Sequence, residues 1–146
     1  MILNTRHFGE ITVDEEKLIT FAEGIPGFPA LRQFLLLSEQ ASGEDDADEM
    51  FYWLQSVEET ETAFVLLDMM KYKPDYNPFV EESQVECLGT TDPADFLIYN
   101  IAVMPGDPKR ITVNLRAPIV INPEKRLGKQ VICTNDDYDI QHKLFA

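Results

Sequence analysis

Few residues in this sequence could take part in catalysis or metal binding, and they are widely spaced. The histidines His7 and His142 lie near opposite ends of the chain, and Cys87 and Cys133 belong to no CxxC or Cys–His motif. No local signature places a cysteine nucleophile beside a histidine base, so such a pair would depend entirely on the fold. The acidic run Asp45–Glu49 lacks the glycine and ligand spacing of an EF-hand calcium loop. Phosphate-binding and nucleophile-elbow motifs do not occur either, and the sequence predicts no enzyme, no metal site and no cofactor.

Charge is the property in which this sequence departs most from an ordinary soluble protein. The net charge is −14, and residues 1–108 hold 22 acidic against 5 basic side chains, whereas residues 109–146 hold 4 against 7. A protein that binds nucleic acid directly is expected to present a basic surface, so direct binding of nucleic acid is not predicted. A negative field speeds the encounter with a basic protein, which is the functional interpretation we favour. Charge alone leaves open that the acidity serves only solubility.

Short β-strands are the elements that must position any binding surface. Between residues 112 and 132, two β-branched apolar runs flank Ala117–Pro118, and a third run, Val131–Ile132, follows the loop Pro123–Gly128. This order is typical of a β-meander. Similar runs along the chain bring the count to about nine strands against one clear helix, Val80–Leu88. The sequence therefore predicts one mostly β domain over residues 1–146, a small antiparallel β-barrel-like domain with one or two short helices.

The connecting segments carry the less regular patterns. Glu39–Glu49 holds six acids and no large apolar residue, so we expect a mobile loop there. Ser56 precedes Glu59 by three residues, which predicts a capped helical turn. The tail from Asp136 to Ala146 is expected to be weakly ordered.

One irregular segment, Asp68–Phe79, combines large apolar side chains with prolines and charges. Large apolar residues outside a regular element can form a contact surface, and methionine adapts to varied partners. The alternative is a loop that folds back over the core. The side chains concerned are Met69, Met70, Tyr72, Tyr76 and Phe79.

No part of the sequence is expected to enter a membrane. The first ten residues lack the charged-then-apolar order of a signal peptide, and no apolar run approaches the length of a bilayer-spanning helix. Two cysteines do not make a disulfide framework. We therefore expect a cytoplasmic protein.

Several longer motifs together resemble one known family. These are FGEI at Phe8–Ile11, FAEGIPGFPALRQFLLL at Phe21–Leu37, FYWLQSVEETETAFVLLD at Phe51–Asp68, and TVNLRAPIVINPEKRLGKQVI at Thr112–Ile132. In this order, and over nearly the whole chain, they are similar to FliW, the flagellar assembly factor family. The combination of GIPGF with NLRAPIVIN and GKQ is the most specific part of the resemblance.

The resemblance implies a small non-enzymatic protein that binds two protein partners. One is flagellin, held before export, and the other is CsrA, a basic dimeric regulator that binds RNA and represses flagellin translation. Release of flagellin would free the protein to bind CsrA away from its RNA-binding surface and relieve the repression. The protein is expected to be a monomer when alone.

We place the partner surface on the acidic part of the chain. The hypothesis assigns it to Glu58, Glu59 and Glu61 together with the Asp68–Phe79 segment. A competing hypothesis is an acidic RNA mimic, in which the Glu39–Glu49 loop occupies the RNA-binding groove of the partner. A third is a ligand-binding barrel or enzyme with a deep pocket lined by His7, a cysteine or paired carboxylates.

Overall fold

In a computed structural model of the chain, the described residues include eleven strands and a short α-helix. The structure describes residues 2–6, 9–25, 27–38, 51–69, 75–90, 92–103, 110–135 and 137–143. The helix is α1 (Glu82–Val85), and 3-10 turns lie at Glu15–Lys17, Glu86–Leu88 and Pro93–Asp95. The strands are β1 (Ile2–Thr5), β2 (Gly9–Thr12), β3 (Ile19–Thr20), β4 (Gln33–Ser38), β5 (Phe51–Ser56), β6 (Ala63–Leu67), β7 (Leu97–Val103), β8 (Thr112–Val113), β9 (Ile119–Asn122), β10 (Leu127–Gln130) and β11 (His142–Lys143).

Seven of these strands close into a barrel, which confirms the predicted mostly β, barrel-like fold. The order is β7-β6-β5-β4-β3-β10-β9, and β9 returns to pair with β7. The long strand β7 makes this possible because one of its edges pairs with β9 over Leu97–Tyr99 and with β8 over Ala102–Val103. Strand β11 extends the sheet beyond β8, while β1 and β2 form a separate hairpin.

One seam of the barrel is parallel. Strands β3 and β10 pair through Thr20 and Leu127, and the Thr20 amide donates to the Arg126 carbonyl at 2.9 Å. The other strand pairs in the described part of the chain are antiparallel, as predicted. The parallel seam joins strands far apart in sequence, so it is a non-local pairing that local patterns do not reveal.

The barrel is filled by side chains that alternate along the strands. Because successive strand residues point to opposite faces, every second residue enters the interior. The interior cluster is aromatic at one side, where the Phe21 and Phe34 rings meet edge to face at 5.2 Å. Its fully buried members are Ile19, Phe21, Phe34, Leu54, Leu66, Ile119 and Ile121.

Two further clusters cover the outside of one barrel wall. Residues 75–90 and the C-terminal residues 131–143 pack over β7, β8 and β9. The Asn122 amide fastens this layer by donating to the Leu88 carbonyl at 2.7 Å. Wall strand β9 is therefore buried on both faces.

Three local predictions need correction. The third strand of the meander is Leu127–Gln130 and not Val131–Ile132, because the backbone that pairs with β9 starts immediately after the turn at residues 123–126. The helix predicted for Val80–Leu88 is α1 followed by a 3-10 turn, and it ends at Gly89. The tail is tied down within the described range 137–143, since β11 pairs with β8.

Some predictions fall on residues outside the described ranges, among them the Glu39–Glu49 loop. Within the described residues, no helix has the length and apolar character needed to cross a membrane.

Candidate functional site

The turn between β5 and β6 presents the predicted acidic residues, and it is fixed from below. The side-chain amide of Gln55, which is fully buried, donates to the carbonyls of Ser56, Thr60 and Thr62 at 2.9, 3.1 and 3.3 Å. The Ser56 hydroxyl accepts from the Glu59 amide at 3.0 Å. The predicted Ser56–Glu59 contact is thus present, but it stabilises a hairpin connection and not a helical turn.

Glu58 holds the turn against a neighbouring segment. Its two carboxylate oxygens accept from the backbone amides of Arg32 and Gln33, each at 3.0 Å. The Val57 amide donates in turn to the Gln33 carbonyl at 3.0 Å. Hydrogen bonds to a carboxylate are stronger than those between neutral groups, so Glu58 acts as a brace between the hairpin and the start of β4.

Glu59 and Glu61 remain for contact with other molecules. Both are exposed, and the nearest interaction of the pair is internal, a hydrogen bond from the Glu61 amide to the Glu59 carboxylate at 3.4 Å. Neither forms an ion pair with a basic side chain of the described residues.

These two carboxylates border an open groove, which we name the Phe28 groove. Its volume is about 510 Å³, and its other wall is the loop that follows the Gly-Ile-Pro-Gly sequence. The groove thus combines apolar side chains with unpaired negative charge. The lining residues are Gly27, Phe28, Pro29, Ala30, Leu31, Glu59, Glu61 and Thr62.

The Phe28 loop is as firmly held as the turn that faces it. The Phe28 amide donates to the Ile25 carbonyl at 2.7 Å, and the Phe28 carbonyl accepts from Leu31 at 3.1 Å. Gly24 has φ +68, and a Cβ at this position would lie 2.7 Å from the Phe28 carbonyl oxygen. Only glycine allows this close approach without strain. The loop therefore holds the Phe28 ring in a fixed place.

Phe28 was not among the residues predicted for the partner surface. The glycines and prolines beside it indicate a turn and carry no signal for the side chain that the turn presents. The signal that could have indicated it is a large aromatic residue between Gly27 and Pro29, because a side chain in so short a turn is difficult to bury completely. In the structure 42% of Phe28 is exposed.

Met69 and Tyr76, predicted as contact residues, lie in the core. Met69 is fully buried and Tyr76 is 3% exposed, in the cluster outside β7 and β8. The Tyr76 hydroxyl donates to the Leu115 carbonyl at 2.7 Å and accepts from the Asn100 amide at 2.9 Å. Burial raises the pKa of Tyr76 well above its usual range, despite the opposing hydrogen bond from Asn100. The alternative of a segment folded over the core holds for these two residues.

Phe79, which was also predicted as a contact residue, does not line the groove. Phe79 is 63% exposed, but its backbone is bonded to Thr134 and Asn135, on the outer layer of the barrel. Met70 and Tyr72 lie outside the described residues. The structure thus places Glu58, Glu59 and Glu61 together on one turn, whereas Phe79 lies on the outer layer of the barrel.

Groups with catalytic or metal-binding potential are dispersed in the described part of the chain. Cys87 is exposed and Cys133 is buried, and neither is in a disulfide. The described ranges contain no group of three or more His, Cys, Asp or Glu side chains arranged to hold a metal ion.

Comparison with known proteins identifies the family to which this geometry belongs. A family model described as FliW protein matches residues 2–144. This chain belongs to the FliW family. The resemblance in the sequence motifs is thereby confirmed, and it extends through both walls of the Phe28 groove.

Curated FliW relatives cover almost the full chain. The flagellar assembly factor FliW of Caldanaerobacter subterraneus subsp. tengcongensis is 42% identical over 144 residues, which are 99% of this chain and 93% of the relative. That of Alkaliphilus metalliredigens is 39% identical over 142 residues, 97% of this chain and 85% of the relative. Both relatives carry the name of an assembly factor, which describes a regulatory role and not an enzyme.

A solved structure of the family has the same fold. It is described as a crystal structure of the flagellar assembly factor FliW, and it matches with a TM-score of 0.88 at 37% identity. The match covers 100% of this chain and 98% of the other. The seven-stranded barrel is therefore a FliW barrel.

Proposed function

We propose that this chain is a cytoplasmic flagellar assembly factor that binds flagellin and a basic CsrA-type RNA-binding regulator. In this proposal, binding of the chain antagonises the regulator without occupying its RNA-binding groove, and flagellin competes for the chain. Flagellin synthesis then follows flagellin export. The chain acts as a monomer when it has no partner.

The observation that carries the proposal is the Glu59–Glu61 pair, two exposed carboxylates on a hydrogen-bonded turn of a FliW family member, with no ion-pair partner among the described residues. The whole chain has a net charge of −14. A field of one sign attracts a basic partner over about a Debye length, roughly 8 Å at physiological salt, and raises the rate of association. A basic regulator is thus the class of protein that this surface favours.

Antagonism without competition follows from the same charges. Phosphate contacts dominate the affinity of proteins for nucleic acid, and each lost contact lowers it. An acidic protein bound beside an RNA groove opposes the phosphate backbone there, even if it leaves the groove open. This argument supports a non-competitive mechanism over mimicry by the Glu39–Glu49 loop, a loop that lies outside the described residues.

A ternary-complex titration tests the mechanism. A labelled RNA hairpin is bound to the purified regulator, and the chain is added while both RNA release and chain binding are followed. As the chain is added, we expect the affinity of the regulator for RNA to fall and then to level off. Excess RNA should not displace the chain completely from the regulator. Deletion of residues 39–49 should preserve most of the inhibition. Complete displacement of the chain by RNA, or loss of inhibition on deletion, would favour the mimic.

Competition with flagellin tests the second partner. Purified flagellin added to the chain–regulator complex should release the regulator and restore RNA binding. Failure of flagellin to bind the chain in the same buffer would contradict the proposed coupling to export.

A further inference from the structure

The floor of the Phe28 groove is the outer end of a row of aromatic rings. Phe28 packs edge to face on Phe64 at 5.3 Å, and Phe64 lies 6.2 Å from Phe34. Phe34 meets Phe21 at 5.2 Å inside the barrel. The Phe28 ring is thus packed on the aromatic core, and an apolar side chain that contacts Phe28 would rest on a ring that the core holds from behind.

The wall of the groove supplies charge next to that floor. Glu58 is engaged with the backbone amides at residues 32 and 33, so Glu59 and Glu61 are the carboxylates that face a ligand. A second open groove of about 410 Å³ shares Glu61 and also contains Glu10 and Arg6. The Arg6 amide donates to the Thr60 carbonyl at 3.3 Å, so Arg6 lies beside the turn, and Glu59 is the carboxylate of the Phe28 groove that does not border this second groove.

Both walls are ordered before any ligand arrives. The Gln55 amide and the Ser56 hydroxyl fix the turn, and the Glu58 carboxylate joins it to the segment that continues from Leu31. The Phe28 loop is held by its own backbone hydrogen bonds. Binding therefore requires little ordering of the protein, which is the main cost that lowers the affinity of flexible surfaces. A fixed aromatic residue beside fixed charges has the composition of a binding hot spot.

We propose that the Phe28 groove is the docking site for a basic protein segment, with a large apolar side chain on Phe28 and an adjacent Lys or Arg paired with Glu59 and Glu61. The proposal rests on the proposed function, because it specifies the surface through which the basic regulator is held. Charge complementarity selects this occupant. A second copy of the chain has a net charge of −14 and a nucleic acid carries phosphates, so Glu59 and Glu61 would repel both.

Binding measurements on variants test the docking site. Affinity for the purified regulator and for purified flagellin is measured by calorimetry at about 50 mM and about 300 mM NaCl. Phe28→Ala should weaken binding of the regulator by about 30-fold at both salt concentrations, the loss typical of a buried anchor. A loss confined to flagellin would overturn the proposal. Glu59→Gln/Glu61→Gln should weaken binding of the regulator by about tenfold at low salt and by less at high salt.

Matched controls separate the groove from general charge and general exposure. Glu81→Gln/Glu82→Gln makes the same change in net charge at exposed positions beside and within α1. Phe79→Ala removes an exposed aromatic ring that does not line the groove. Each control should change affinity by less than about threefold. Because Phe28→Ala could also perturb the loop, amide hydrogen exchange on the unaltered chain provides a second readout. Addition of the partner should protect residues 27–31 and 59–62.

The possible failures are distinct. If the unaltered chain binds neither partner, the proposed function fails and the docking site with it. If the unaltered chain binds both partners but the groove variants behave like their controls, and exchange at 27–31 is unchanged, only the docking site is refuted. Concentration-dependent self-association that is lost in Phe28→Ala would show that the groove takes a second copy, and would overturn the proposal.

Discussion

Gly128 is the position at which the closure of the barrel can be tested most directly. It lies in β10, the strand that completes the barrel between β3 and β9. A Cβ added at Gly128 would lie 2.5 and 2.7 Å from two atoms of the Phe21 ring. Carbon atoms in contact normally stand about 3.5–4.0 Å apart, so Gly128→Ala requires the ring or the strand to move by about 1 Å.

Two opposing effects determine the sign of the change in stability. Alanine restricts the unfolded chain more than glycine does, which would stabilise the protein by about 0.4–1 kcal/mol where the backbone conformation is compatible. Overpacking a close-packed core costs about 1–3 kcal/mol. Phe21 is fully buried and packs edge to face on Phe34 at 5.2 Å, so a displaced ring would press on other core side chains. We expect Gly128→Ala to be destabilising by about 1–2 kcal/mol, which corresponds to a fall in Tm of about 3–8 °C for a chain of this length.

Urea unfolding followed by the fluorescence of Trp53, the only tryptophan, measures this change. A double-mutant cycle with Phe21→Leu identifies its cause, because leucine lacks the ring atoms that meet the new Cβ. The double variant should be less destabilised than the sum of the two single variants, by about 1 kcal/mol. Gly27→Ala is the control, since its Cβ meets no atom within 4 Å and its cost is backbone strain at φ +90. Additivity within about 0.5 kcal/mol for Gly128 and Phe21, or a stabilised Gly128→Ala, would refute the packing argument.

Two further predictions concern side chains whose roles the structure reassigns. Glu58→Ala should lower the unfolding free energy by about 1 kcal/mol, because it removes the acceptor for two backbone amides at residues 32–33. Glu58→Gln keeps one carbonyl oxygen and should lower it less. Urea midpoints equal to that of the unaltered chain would contradict the bracing role. Tyr76→Phe should cost about 1–2 kcal/mol through the lost hydrogen bonds to Leu115 and Asn100. Burial raises the pKa of folded Tyr76 above the unfolded value of about 10, so the free energy of unfolding should fall as pH rises above about 10. Tyr76→Phe should reduce this dependence of the unfolding free energy on pH. An unchanged dependence would contradict the argument.

Local patterns were sufficient for most of the barrel and insufficient for its closure. The run Ala63–Leu67 is continuously apolar, a pattern that predicts a buried strand, and the structure forms β6 over these residues. In contrast, Leu127–Gln130 contains one large apolar residue, and its first two residues fall in the predicted loop Pro123–Gly128. The reason for its composition lies far away in sequence: Gly128 leaves room for the ring of Phe21. A residue chosen for a contact across the barrel carries no local periodicity that could predict it.

The candidate site was predictable to a similar extent. A cluster of acids at residues 58–61 is visible in the sequence, and the structure exposes it on one turn. The division of labour within the cluster is not visible, since Glu58 bonds to amides 25 and 26 residues earlier in the chain. Burial of Met69 and Tyr76 was open for the same reason. An irregular segment with large apolar residues can cover a core or face solvent, and the choice depends on the sheet beneath it.

The division of roles among the three glutamates changes how their charge should be tested. Neutralising Glu58, Glu59 and Glu61 together is expected to slow association with a basic partner and to flatten its salt dependence. The same triple variant also weakens the brace between the turn and the start of β4, so it would disturb the groove even for an uncharged ligand. Neutralising Glu59 and Glu61 alone removes the field and leaves the brace. A salt-dependent loss in the double variant therefore reports charge, and any additional, salt-independent loss in the triple variant reports the position of the turn.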